Sequence, residues 1–319
     1  MAGQPNNLKP GVKPWTPEQQ MQELKKRMGS VMGIFNSPKK VDFTPNADDF
    51  LVIVPPKHGT TWLMHICHQI RMKGAEPDFE DQMDVISLIE AHEMLFGVKP
   101  QDQKQPASPR LYATHLPFPA VPHGGRRIFS FRDPKDAVVS AYHFMNSGLA
   151  LKGRVALPMF AHAYLQQIEK QLNDLLMWWE HRNDKDLLLI FFDDLKEDHT
   201  GTVRRIAKYL GVDLDDDAVA RVVHTTSHAE MSRHASKFTM GKVAKKTVSE
   251  MIGEEPETDS EDFVGRVRKD GGKSGEGKQK LPVEVQQRID QMWQEIVTAK
   301  LGFKNLQEMR EAWKKERTS

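Results

Sequence analysis

A single α/β domain, with a central, mainly parallel sheet flanked by helices, is the fold this sequence predicts. Three observations lead there. Leu51-Val-Ile-Val54 is an apolar, mostly β-branched run that stops at Pro55 and Pro56 and passes through Lys57-His58-Gly59-Thr60-Thr61 into a helical pattern. Further short apolar runs alternate with helix-length amphipathic segments, an order that needs crossover connections and therefore parallel pairing. Asp186-Leu-Leu-Leu-Ile-Phe-Phe192 is almost continuously apolar, as a strand covered on both faces must be.

In chain order, residues 1 to about 14 read as disordered. Thr16-Pro17-Glu18-Gln19 is a capping box with proline at the first helical position, opening a helix to about Met32. After the first strand and its helix comes a mixed region to about Gln105, rich in polar residues and expected to lie on the surface; residues 73 to 105 yield no interpretable pattern. Leu111–Leu116 and Arg126–Phe131 are short strands. Arg132-Asp133-Pro134 then starts a helix through about Met145, and a long amphipathic helix fits Pro158 to His181. The strand at 186–192 is followed by helices near Gly201–Leu210 and Asp216–His224. From 237 to 280 the composition turns to Lys, Glu, Gly, Ser and Asp with little periodicity, which predicts a mobile loop. Helix returns from Pro282. The expected organisation is a tail and helix over 1–40 and one domain over 41–319.

Bulk properties narrow the function. A chain of 319 residues, 39% hydrophobic and 28% charged, can bury a full core. Its net charge of +1 argues against a broad nucleic-acid surface, so any anion site must be local. The single cysteine, Cys67, excludes a disulfide framework and fits a reducing compartment. The start of the sequence has no apolar core, and no run approaches the ~18 apolar residues that a membrane helix needs. The expected location is cytoplasmic.

The chemistry lies in two strand-to-helix turns. In the first, Gly59 lets an anion approach the backbone, the N–H groups and helix dipole converge on it, Lys57 adds a cation, and Thr60 and Thr61 add hydroxyls. A lysine ahead of the glycine distinguishes the turn from G-x-x-x-x-G-K-[ST]. The turn itself says only phosphate or sulfate; the alternative is an ordinary turn with a surface lysine. In the second, Arg132 ends a strand, Asp133 can cap the helix, and Ser140 lies further along it.

Together these segments resemble the cytosolic, PAPS-dependent sulfotransferase family (PAPS is 3′-phosphoadenosine 5′-phosphosulfate). The matching residues are Pro56-Lys57-His58-Gly59-Thr60-Thr61-Trp62 and Arg132-Asp133-Pro134-Lys135-Asp136 through Ser140. Thr114-His115-Leu116-Pro117, Thr226-Ser227-His228-Ala229-Glu230-Met231 and Arg268-Lys269-Asp270-Gly271-Gly272-Lys273-Ser274-Gly275 follow in the family's order. The resemblance implies a P-loop-like phosphosulfate-binding strand–turn–helix and transfer of a sulfuryl group to a hydroxyl, or an amine, of a small molecule. It implies His115 as general base and Lys57 at the leaving phosphate. Cofactor contacts are expected from Lys57, His58, Gly59, Thr60, Thr61, Trp62, Arg132, Ser140, Phe192, Thr226, Ser227, His228, Arg268, Lys269 and Gly271, with 237–280 covering the cofactor. No metal, nucleic acid or membrane partner is expected.

Departures from the family pattern are specific. Ala113 stands where the family often has lysine, His58 where it often has serine, Phe192 for a tyrosine and His228 for an aromatic residue. The usual dimer segment survives only as Lys278…Pro282-Val283…Gln287, so a homodimer by that route is doubtful. Two rival functions remain: an ATP-dependent phosphotransferase, and a PAPS-binding protein that turns over weakly. His92-Glu93 lacks the second histidine of a zinc motif, and His65 with His68 reads as structural. Phe144, Met145, Phe160, Tyr164 and Phe263 are acceptor-pocket candidates for which ordinary packing is the better reading.

Overall fold

The computed structural model describes residues 8, 11–35, 41–239, 241–256, 263–264, 267–269 and 271–318. The expected disorder of residues 1 to about 14 therefore falls largely outside the described residues, as do Asp270 and the side chain of Phe263. Helix α1 (Pro17–Phe35) starts as its sequence requires. Thr16 Oγ1 accepts the Gln19 N–H at 3.3 Å, and Gln19 Oε1 accepts the Thr16 N–H at 2.9 Å. Two N–H groups that no helical carbonyl can reach are thereby satisfied.

The sheet is built from β1 (Phe50–Ile53), β2 (Ser87–Leu88), β3 (Leu111–Thr114), β4 (Arg126–Phe131) and β5 (Leu187–Phe191) in the spatial order β2-β3-β1-β4-β5, every pair parallel. Between the strands lie α2 (Thr60–Arg71), α3 (His92–Phe96), α4 (Pro134–Gly148) and α5 (Leu157–Glu180). After β5 come α6 (Phe192–Glu197), α7 (His199–Leu210), α8 (Asp216–Thr225), α9 (His228–Arg233) and α10 (Gly241–Ile252). The short pair β6 (Phe263–Val264) and β7 (Val267–Arg268) is antiparallel. The chain closes with α11 (Glu276–Lys280), α12 (Val283–Trp293), α13 (Ala299–Leu301) and α14 (Leu306–Thr318).

Strand period two sorts the core into two layers. Leu51 and Ile53 of β1 join a cluster with α4, α5, α12 and α14, whereas Phe50, Val52 and Val54 join one with α2, α7 and α8. Both faces of the sheet are covered, as continuous apolar strands require.

Two segments differ from the sequence reading. The region to about Gln105, expected on the surface, instead buries Met83, Val85, Ile86, Leu88 and Leu95 in the second layer, and its strand β2 was not foreseen because two residues leave no period to detect. The stretch 237–280, expected to lack regular structure, carries α10, β6, β7 and α11. On α10, Val248 and Ile252 sit four residues apart and bury against Ala150, a small contact that local periodicity does not reveal. Glu254, just beyond, pairs with Arg27 of α1 at 3.0 Å and also binds Lys152, which ties this segment to the N-terminal helix.

Helix α14 is docked by a charged contact. Arg310 is 2% exposed; its Nε donates to Asp194 Oδ1 at 2.7 Å and its Nη1 to Glu197 Oε1 at 2.7 Å. Trp313 Nε1 donates to the Leu189 carbonyl at 3.0 Å. Arg310→Ala removes the nearest cation from the buried Asp194 carboxylate and leaves Lys314 at 3.3 Å and Arg205 at 3.9 Å, so urea denaturation is expected to show a loss of about 1–3 kcal/mol.

Candidate active site

Parallel pairing places Ile53 of β1 opposite Phe129 of β4, so the turns that leave these two strands emerge side by side. The chain also changes direction across the sheet here, since β3 lies on one side of β1 and β4 on the other. Such a switch point leaves a crevice at the carboxyl ends of the strands. The first turn holds Lys57 at φ 72° and Gly59 at φ 104°, with Gly59 as the N-terminal cap of α2. A Cβ on Gly59 would stand 2.6 Å from Cδ2 of Phe192, so both torsion and space demand glycine.

The second turn is capped by Asp133, whose Oδ1 accepts the Lys135 N–H at 2.8 Å, with Pro134 in the first turn of α4. Arg132, 3% exposed, donates through Nη2 to the carbonyls of Gly272 (3.3 Å) and Lys273 (3.2 Å). Asp136 accepts the N–H groups of Gly275 (2.9 Å) and Gly277 (2.8 Å). These bonds lay the 272–277 segment across the start of α4.

His58 joins the two turns. Its Nδ1 accepts the Arg132 N–H at 2.9 Å, so Nε2 carries the proton and donates to Gln171 Oε1 at 3.1 Å. The residue is fully buried, and desolvation pushes its pKa down to about 3. It therefore serves as an internal strut and takes no place on the cavity wall.

A cavity of about 290 Å³ opens beside both turns. Lys57, Gly59, Thr60, Thr61, Trp62, Arg132 and Ser140 form one part of its wall, joined by Phe192, His228, Arg268 and Gly271. His115 and Lys196 share it, and Met28, Met64, Met83, Leu88, Phe144, Met145, Leu149 and Val248 form an apolar part. Twelve of the sixteen residues expected at the site thus lie on this wall, His58 braces it from inside, and the others are placed as follows. Thr226 lies behind the wall, where its carbonyl accepts Trp62 Nε1 at 2.8 Å and orients the indole. Ser227 Oγ accepts the Glu230 N–H at 3.3 Å as the cap of α9, and Lys269 is exposed. Trp62 and Phe192 meet edge to face at 5.5 Å, and Arg132 sits 4.6 Å from the Phe192 ring centroid. Arg268 forms a two-point pair with Glu276, while His228 Nε2 donates to the Arg268 carbonyl at 2.6 Å.

Phe144 and Met145 line the cavity, whereas Phe160 and Tyr164 are fully buried core. Ala113 is also fully buried, opposite Leu88 in the sheet, and its methyl brings no charge to the wall that Leu88 lines. His65 and His68 are buried, and desolvation pushes them down to about 4 and about 2. Among the described residues no group of three or more His, Cys, Asp or Glu is arranged to hold a metal.

His115 is held in one tautomer. Its Nδ1 lies 2.7 Å from the Val54 carbonyl, which can only accept, so Nδ1 bears hydrogen and the neutral ring's lone pair is on Nε2. The His115 N–H donates to Glu90 Oε1 at 2.7 Å, and the Thr114 hydroxyl donates to Glu90 Oε2 at 2.8 Å. Burial pushes the Glu90 carboxyl up to about 7. Sequence reasoning missed Glu90 because nothing local marks one glutamate in a polar segment. Lys57 Nζ lies 3.7 Å from the centroid of the Phe144 ring. Thr60 Oγ1 and Arg132 Nε are buried donors without a hydrogen-bond partner among the described residues. Leaving such donors unmet is costly, and an oxyanion in the cradle would offer them acceptors; the donor set fits a doubly phosphorylated nucleotide.

Comparison with known proteins bears on the same region. The family model described as "Sulfotransferase domain" matches residues 47–310. A rabbit (Oryctolagus cuniculus) amine sulfotransferase is 27% identical over 269 residues, covering 80% of this chain and 82% of its own. Human sulfotransferase 1E1 is 30% identical over 206 residues, covering 61% and 69%. Among solved structures, mouse sulfotransferase SULT7A1 complexed with PAP aligns at TM-score 0.57 and 23% identity, covering 83% and 88%. Retinol dehydratase in complex with androsterone and PAP aligns at TM-score 0.60 and 16% identity, covering 89% and 95%. These two show the same fold.

His58 gives the site an acid sensitivity. The folded ring stays neutral to about pH 3, whereas an unfolded histidine titrates near 6.5. The unfolded chain therefore binds the proton first, so stability from this residue is full above about 6.5 and falls as pH drops toward 3. Urea midpoints at pH 7 and pH 4.5 are expected to differ less in His58→Gln than in the wild type.

Proposed function

The chain belongs to the sulfotransferase domain family, and from that premise we propose that it moves a sulfuryl group from PAPS to a hydroxyl, or an amine, of a small, largely apolar acceptor. One observation carries the reading: a single cavity wall holds His115, Lys57 and Arg132, with the two strand-to-helix turns flanking one imidazole. PAPS supplies an activated sulfuryl group whose departure leaves a phosphate.

Residues of this chain would do the rest. His115 Nε2, which bears the lone pair of the neutral ring because Nδ1–H is bonded to the Val54 carbonyl, takes the acceptor's proton as the nucleophile attacks. Lys57 supplies positive charge where the leaving oxygen becomes negative. The Gly59–Thr61 amides hold the 5′-phosphate at the start of α2. Arg132, Ser140 and Arg268 hold the 3′-phosphate, with Trp62, Phe192 and His228 beside the adenine. His58, Thr226, Ser227 and Lys269 act behind or beside this surface. The methionine- and leucine-rich part of the wall suits an acceptor that brings one nucleophilic group on an apolar body. Since Met28 of α1 is part of it, the N-terminal helix contributes to acceptor binding. An ATP-dependent phosphotransferase would have no use for two guanidinium groups at a 3′ position.

A cytoplasmic location belongs to the same proposal: Cys67 is buried with its thiol pushed up to about 12, and no described helix is long and apolar enough to cross a membrane.

In a thermal-shift titration, adenosine 3′,5′-bisphosphate is expected to stabilise the protein far more than ADP; the opposite ranking would favour phosphotransfer. His115→Asn is expected to lower kcat on the order of a hundredfold or more while leaving bisphosphate affinity near that of the wild type. Lys57→Met is expected to lower kcat by a similar factor, measured with labelled sulfate.

A further inference from the structure

We propose that Glu90 is a positioning residue that holds His115 in its working orientation, and that it does so by standing in for a missing stretch of β-strand. The proposal rests on the reading of His115 as the base. The parallel ladder between β2 and β3 runs through Leu88 opposite Ala113 and ends where the Ile89 N–H meets the Ala113 carbonyl at 2.9 Å. The chain then turns away, the Ala91 N–H returning to the Leu88 carbonyl at 3.1 Å. No backbone of the neighbouring strand remains to receive the next donors of the β3 edge.

The Glu90 side chain receives them. Oε1 takes the backbone N–H of His115 at 2.7 Å, and Oε2 takes the Thr114 hydroxyl at 2.8 Å, whose oxygen in turn accepts the Leu116 N–H at 3.0 Å. On its other side His115 is gripped by the Val54 carbonyl through Nδ1. The backbone of the base is thus anchored to one neighbouring strand and its ring to the other. A carboxylate is an acceptor at both oxygens, and alanine at this position would leave two donors unmet in a poorly hydrated place. That burial also disfavours the charge, which pushes the carboxyl up to about 7 and points to geometry as the reason for a glutamate here.

The test compares Glu90→Ala, Glu90→Gln and Glu90→Asp with the wild type by two readouts. The first is the ¹⁵N NMR signature of the His115 ring, which needs no turnover. The second is the split between kcat and KM with PAPS and 2-naphthol as probe acceptor, alongside the Kd of adenosine 3′,5′-bisphosphate. Glu90→Gln keeps an acceptor for the His115 N–H, so it is expected to hold the Nδ1–H tautomer and stay within about threefold in kcat. Glu90→Asp keeps the charge but falls one methylene short; it is expected to give mixed tautomers and about a tenfold loss in kcat at unchanged bisphosphate Kd. Glu90→Ala is expected to lose about thirtyfold or more. Wild-type tautomer and kcat in Glu90→Asp overturn the proposal, even if Glu90→Ala does not fold. A parallel loss of bisphosphate affinity in Glu90→Asp also overturns it, since that marks general disruption. If the wild type transfers nothing to 2-naphthol, the choice of acceptor or the transfer reading is at fault, while the tautomer comparison still decides the role of Glu90.

Discussion

The pairing of β1 with β4 is the constraint on which the rest of the site depends. Each strand ends in a turn that opens a helix, and only lateral adjacency brings the two turns to one crevice. The His58 imidazole fixes that adjacency from inside, since its Nδ1 holds the Arg132 N–H at 2.9 Å while Gln171 holds its Nε2. A residue of the first turn is thus bonded to the backbone of the second. The sheet's two apolar layers hold the strands in this order, and the buried, neutral ring holds the turns in register.

The cations of the site are held by contacts within the protein. Arg132 is held by Asp136 and by the carbonyls of Gly272 and Lys273, and Arg268 by Glu276. Cations fixed in this manner would need little reorganisation to meet the phosphate proposed for them, which is where preorganised electrostatics gains its effect. The chain as a whole has a net charge of only +1, so this field is local. Methionine and leucine side chains share the cavity wall with His115 and Lys57.

Local signals made much of this legible in the sequence. Capping by Thr16 and by Asp133 depends on residues three apart or fewer, and both appear as expected. The four apolar runs became strands because burial on two faces needs uninterrupted apolar residues. The glycine at 59 marked a turn of unusual torsion, and its φ of 104° agrees. The resemblance to sulfotransferases brought Lys57, His115, Arg132, Ser140 and Arg268 together on paper, and one cavity wall contains them all.

Other features arise only from contacts between distant segments. His58 sits within a phosphate-turn motif, yet its ring faces inward because Arg132 and Gln171, far away in sequence, offer it partners. Glu90 gained its position from a strand two residues long. Helix α10 forms in a stretch of weak periodicity because Ala150 and Glu254's partners lie beside it. The sequence by itself determined the strand–turn–helix units and the residue types of both cradles, since hydrophobic period, capping and glycine torsion act over a few residues, while His115 was singled out as base only through the resemblance. Which side chains face the cavity, which brace it from behind, and how His115 is clamped were decided by tertiary structure, because hydrogen bonds and burial across more than twenty residues of chain exist only once the sheet has been assembled.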